Sequence, residues 1–120
     1  MHNFKEFKVW QQAREMVKEI YLLSEAFPQA EKFGLISQIR RSAVSIPSNI
    51  AEGSGRGSNK EFAQFLSIAL GSAYELETQL ILAFDLGLIP DSQLKLIVPK
   101  LEMLQKMLFG LHKKLKGNLP

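Results

Sequence analysis

The run Gln38 to Gly53, QIRRSAVSIPSNIAEG, keeps a helical apolar period yet carries no charge between Arg41 and Glu52. A helix without charge on any side is buried on every side. Ten uncharged positions in a row, within 120 residues, call for more buried surface than one copy of a small helical layer offers. The length suits one domain, residues 1–120, able to bury about two thirds of its unfolded surface without staples.

Four helical segments follow from the 3.5–3.6 periodicity. The first starts after Asn3 as N-cap and runs to about Phe27, with Trp10, Ala13, Val17, Ile20, Leu23 and Phe27 facing inward. Pro28 stops it, and Gln29 to Glu31 open the second. There Ile36, Ile39, Ala43, Ile46 and Ile50 are spaced 3-4-3-4, in phase through Pro47. An interior proline costs about 3 kcal/mol and frees the carbonyl four residues back, here that of Ala43. Two readings stand: one helix kinked at Pro47, with Ser42, Ser45, Ser48 and Asn49 satisfying backbone groups, or a break at Ile46.

GSGRGSN, residues 53–59, reads as a loop, and Ser58 with Glu61 forms a capping box for the third helix. Its inner stripe is Phe62, Phe65, Ala69, Ala73, Leu76, Leu80 and Ala83; Gly87 ends it, with Pro90 beyond. Asp91 is the expected N-cap of the fourth helix, which shows Leu94, Ile97, Leu101, Leu104, Leu108, Leu111 and Leu115 and passes Pro99 in phase. Short connections between long helices predict an all-α, antiparallel up-down-up-down four-helix bundle.

The third helix also lacks charge between Glu61 and Glu75, and Leu66, Ile68 and Leu70 flank its stripe on both sides. Together with Ser45, Ser48, Asn49 and the small Gly71, these residues are the expected oligomer interface, since a small residue lets another helix approach closely.

The net charge is +3 and the pI about 9.3, enough to attract phosphate without amounting to a dedicated nucleic-acid tail. Residues 1–28 are balanced, 29–57 carry +2, 58–90 carry −3 and 91–120 carry +4. The candidate phosphate-binding groups are Arg40, Arg41, Arg56, Lys60, Lys113, Lys114 and Lys116. Each has a structural alternative. GSGRGSNK lacks the GK[ST] ending of a Walker loop, so it is either an anion site or a connector capped by Ser58. Arg41 can instead pair with Glu52, or with Glu75 or Glu77 of the third helix, setting register between helices or protomers. The three terminal lysines also suit a solvated helix end, where cations favour the macrodipole.

Catalytic chemistry finds no foothold. Cysteine is absent, which removes thiolate nucleophiles and Cys-based zinc sites. His2 and His112 lack the E-x-x-H spacing of di-metal bundles, and Ser42, Ser45 and Ser48 lack a neighbouring base. No cofactor or metal is expected. Neither a membrane span nor a signal peptide is expected, because apolar runs are short and MHNFKEFKVWQQAREM is charged throughout. A cytoplasmic location follows as the expectation.

In VWQQA (9–13), Phe27-Pro28, GLISQIRRSAVSIPSNIAEGSGR (34–56) and EFAQFLSIALGSAYELETQL (61–80), the chain resembles the bacterial four-helix-bundle proteins of 23S ribosomal RNA intervening sequences. Relatives of that family are similar to the accessory protein of diversity-generating retroelements. The resemblance implies a non-enzymatic homopentamer with basic surfaces that associates with RNA or DNA and, in the retroelement branch, with a reverse transcriptase. The competing expectation is a protein-interaction scaffold whose basic residues serve solubility alone.

Overall fold

In the computed structural model, which describes residues 3–28 and 34–117, four α-helices account for most of the described residues. A 3₁₀ turn at Phe4–Glu6 leads into α1 (Lys8–Ser24); α2 (Leu35–Ser54), α3 (Asn59–Asp85) and α4 (Asp91–Gly117) follow, and no strand occurs among the described residues. At 1.5 Å per residue a 27-residue helix spans about 40 Å, which sets the long axis of a rod measuring 49 × 23 × 20 Å.

The core is one apolar column. Ile39, Ala43, Ile46 and Ile50 of α2 meet Leu66, Ala69, Ala73, Leu76 and Leu80 of α3, all fully buried, with Leu101, Leu104 and Leu108 of α4 and Ala13 and Ile20 of α1 completing it. Packing is most extensive between α2 and α3 and slightest between α1 and α4. Gly53 explains part of that closeness: a Cβ there would stand 2.6 Å from Phe65 Cβ, so only glycine lets the end of α2 lie against α3.

The helix ends follow local chemistry. Ser58 Oγ accepts from the Glu61 amide at 3.1 Å, capping α3 as the spacing predicts. At the other end Gly87 adopts φ +76°, the Leu88 amide reaches back to the Ala83 carbonyl and the Gly87 amide to that of Phe84. That is the pattern of a Schellman stop. Helix α2 is continuous through Pro47, so the break at Ile46 does not occur.

Three local expectations are corrected. Asn3 caps the short 3₁₀ turn, accepting from the Lys5 amide, and α1 starts anew at Lys8. The inward stripe of α1 is only partly as expected: Ala13, Ile20 and Phe27 are buried, but Val9 and Met16 are buried where Trp10 and Val17 were expected, and Trp10 stands at the edge with Phe4 packed edge-on to its ring at 5.1 Å. Pro90, not Asp91, precedes the first turn of α4, because the Pro90 carbonyl accepts from the Leu94 amide. Asp91 lies inside that turn and pairs with Lys95 at 2.7 Å. The expected opening of the second helix at Gln29 to Glu31 lies outside the described residues.

Candidate nucleic-acid interface

The two adjacent arginines of α2 point to different environments, as neighbours 100° apart on a helix must. Arg40 is half-buried and turned inward. Its Nε donates to Ser24 Oγ at 2.8 Å, a second nitrogen reaches the Tyr21 carbonyl at 3.4 Å, and the guanidinium lies 4.5 Å over the Tyr21 ring. It joins the end of α1 to α2 and has little left to offer a phosphate. Arg41 is exposed and makes no hydrogen bond or ion pair with another described residue. The expected pairing of Arg41 with Glu52 or Glu75 is not made, since both carboxylates are engaged elsewhere. Glu52 takes Arg56 at 2.8 Å, one turn on, and Glu75 accepts from Ser42 Oγ at 2.7 Å and Gln79 Nε2 at 3.2 Å.

Arg56 is half-committed as well: beside its Glu52 contact, the guanidinium lies 4.7 Å over the Phe65 ring. Lys60 in the first turn of α3, and Lys113, Lys114 and Lys116 near the end of α4, are exposed and form no ion pair among the described residues. The last of these also face the negative end of the α4 dipole, a favourable position for cations. The structure thus separates the seven candidate cations into one structural arginine, one shared arginine and five free groups. A further exposed cation, Lys95, is held by Asp91. The hydrogen bond and then the charge of that carboxylate raise its pKa above the ordinary 10.5.

The expected interface residues also divide. Leu66 is fully buried in the chain's own core and so cannot face a partner; Leu70 is half-buried against that core. Ser45 Oγ bonds Ser72 Oγ at 2.8 Å, and Asn49 Nδ2 donates to the Ser45 carbonyl and hydroxyl, so both belong to a polar seam between α2 and α3. Ser48, Ile68 and Gly71 are exposed. Two polar contacts had only a weak signal in the spacing. One is Ser24 under Arg40; the other is Gln105 of α4, buried, donating to Glu77 Oε1 of α3 at 2.8 Å. A polar residue in phase with a buried stripe, as Ser24 is with Ile20, was the only available clue.

Shallow grooves run between neighbouring helices. One of about 370 Å³ runs between Trp10, Arg14 and Val17 on α1 and Val44, Pro47 and Ser48 on α2. Another, of about 410 Å³, lies between Tyr74 of α3 and Glu102, Lys106 and Phe109 of α4. No cluster of three or more His, Asp or Glu side chains suited to a metal occurs among the described residues, and no described helix is long and apolar enough to cross a membrane.

Four packed helices, an aliphatic core and surplus charge on unpaired surface arginine and lysine define a small all-α bundle protein. Residues 5–110 match the family described as 23S rRNA-intervening sequence protein, and the chain belongs to that family. It is similar to a solved protein of unknown function from the S23 ribosomal protein family of Bacteroides thetaiotaomicron. Identity is 29%, the match covers 88% of this chain and 95% of that one, and the TM-score is 0.80. No curated protein matches the chain.

Proposed function

We propose that this chain is a non-enzymatic accessory protein that self-associates, as a pentamer by resemblance, and binds RNA or DNA in the cytoplasm through basic surface. The observation that carries the reading is the set of exposed, unpaired cations Arg41, Lys60, Lys113, Lys114 and Lys116. Exposed lysine and arginine without internal partners can neutralise phosphates and release counterions. Symmetry multiplies the effect: five copies of a +3 chain carry +15.

The chain path in this reading is up-down-up-down and antiparallel. It is supported by the seam between α2 and α3, where Ser42 meets Glu75 and Ser45 meets Ser72, so that partners fall along one helix as they rise along the other. The connection between Asp85 and Asp91 is also too short to let α4 run alongside α3 in the same direction. On this path Arg56 and Lys60 share an end of the rod with Lys113, Lys114 and Lys116. A reverse transcriptase as protein partner is supported by the resemblance to retroelement accessory proteins alone, and co-purification with a polymerase is its test.

Fluorescence anisotropy of the purified chain with a structured RNA and with a DNA duplex, between about 50 and 200 mM salt, tests the binding. Five phosphate contacts per copy give a slope of log K against log salt of about −4.5 on duplex DNA, with little sequence preference. Absence of binding at the lowest salt would leave the scaffold reading, which the exposed Ile68, Leu82, Leu96 and Met103 favour.

A further inference from the structure

Helices α3 and α4 each carry a second periodic stripe, of exposed residues outside the core-facing one. On α3 it runs through Ile68, Gly71, Glu75 and Leu82; on α4 through Leu96, Met103, Lys106 and Gly110. All eight are exposed, and the four large apolar residues among them show 46% to 70% of their surface to solvent. An exposed leucine alone needs no explanation. Four at helical spacing on two adjacent helices, in a chain this small, form an apolar surface awaiting cover.

The glycines add an independent observation. A glycine inside a helix is less favourable than alanine. Gly53 has an internal reason, the Phe65 side chain at 2.6 Å. At Gly71 and Gly110 a Cβ would meet nothing within 4 Å, so this chain's own packing does not require glycine there. Gly71 lies within the α3 stripe and Gly110 ends the α4 stripe, and at each the missing side chain admits a second backbone at close range.

Charge selects the occupant. Residues 58–90 carry Lys60 against Glu61, Glu75, Glu77 and Asp85, net −3, whereas residues 91–120 are net +4. Glu75 is held in place by Ser42 and Gln79, both neutral, and has no cation partner among the described residues; Lys106 is exposed and unpaired likewise. Two α4 stripes would bring lysines together. An α3 stripe against an α4 stripe pairs opposite charges.

We propose that the outward stripe of α3, around Gly71 and Glu75, docks on the outward stripe of α4, around Lys106 and Gly110, of a second copy of this chain. Run in opposite directions, the two stripes place Gly71 opposite Gly110 and Glu75 opposite Lys106, and Leu82 then stands opposite Pro99, about one turn from Leu96. The contact is heterologous, so each copy offers one stripe and receives the other, which generates a closed ring or an open filament. The inference rests on the reading that the chain self-associates, and it names the faces that do so.

Light scattering coupled to size-exclusion chromatography decides it, on wild type, Glu75→Lys, Lys106→Glu, the double variant and Gly71→Gln. The expected result is a wild-type mass above the 13.5 kDa of one chain. Each single charge variant should weaken association at least about tenfold, and the double swap should recover it. Gly71→Gln, placed where nothing lies within 4 Å, keeps its helicity by circular dichroism and dissociates on steric grounds, which covers the case of Glu75→Lys failing to fold. A wild-type chain of 13.5 kDa at every concentration overturns self-association itself. An oligomer of unchanged mass in Gly71→Gln and Lys106→Glu overturns the assigned faces while leaving self-association standing.

Discussion

Arg40 Nε donates to Ser24 Oγ across 2.8 Å, and the same hydroxyl donates to the Tyr21 carbonyl at 3.3 Å, so one buried serine fastens the end of α1 to an arginine of α2. Ser24 is 1% exposed, so losing its charged donor leaves a buried acceptor poorly satisfied.

Arg40→Ala should therefore lower unfolding free energy by about 1–2 kcal/mol, at the low end for a charged hydrogen bond because the guanidinium is only half-buried. Its nucleic-acid affinity should stay near wild type. Arg41→Ala, one residue on, should do the reverse: unchanged urea midpoint, weaker binding and a shallower salt slope. A larger loss of affinity in Arg40→Ala than in Arg41→Ala would contradict the division between the two arginines.

Ser58→Ala removes the side-chain acceptor of the Glu61 amide at the start of α3. The expected loss is about 1 kcal/mol by chemical denaturation, with Ser58→Asp close to wild type because aspartate caps equally well. Equal losses in both variants would mean that Ser58 acts through something other than its cap.

Gly53→Ala places a methyl group 2.6 Å from Phe65 Cβ and 3.0 Å from Phe62 Cδ1. Neither neighbour is the loose end of a flexible chain, so α2 and α3 must separate, at a loss of about 1–3 kcal/mol. Helix propensity alone predicts a gain of up to about 1 kcal/mol. The sign of the change in the thermal midpoint thus reports which effect wins.

Ile39→Ala and Leu104→Ala, truncating side chains that are fully buried or within 1% of it, should each lower stability by about 2–5 kcal/mol. Losses under about 1 kcal/mol would show that the column around them collapses to fill the space.

Much of the frame was legible because periodicity reports burial directly. Ile36, Ile39, Ala43, Ile46 and Ile50 are the buried residues the spacing names, and the same phase carried α2 correctly through Pro47. Helix ends with a dedicated side chain or glycine, Ser58 and Gly87, were equally readable. The face of α1 was legible only in part: Ala13, Ile20 and Phe27 are buried as the spacing names them, but Trp10 outranks Val9 in bulk and yet stands at the rim, where its ring meets Phe4 and Arg14. Site residues were harder still. A cation's sign is written in the sequence, but its partners depend on which helices lie alongside. Arg40 and Arg41 are indistinguishable as letters and separate only once Ser24 and Tyr21 are seen on the neighbouring helix. Leu66 and Ile68, two residues apart, likewise went to opposite fates, one to the core and one to the surface.

The slight packing between α1 and α4 has a dynamic counterpart. Between those two helices the named polar link is Lys100 with Glu19, an exposed pair that contributes at most about 1 kcal/mol, and the cleft beside it leaves Leu22 and Leu96 wet. Helix α1 is thus the piece most readily peeled from a core that α2 and α3 hold between themselves. Its amide protons should trade with deuterium through local opening, well ahead of those along Leu66 to Leu80, whose release waits on the unfolding of the whole molecule.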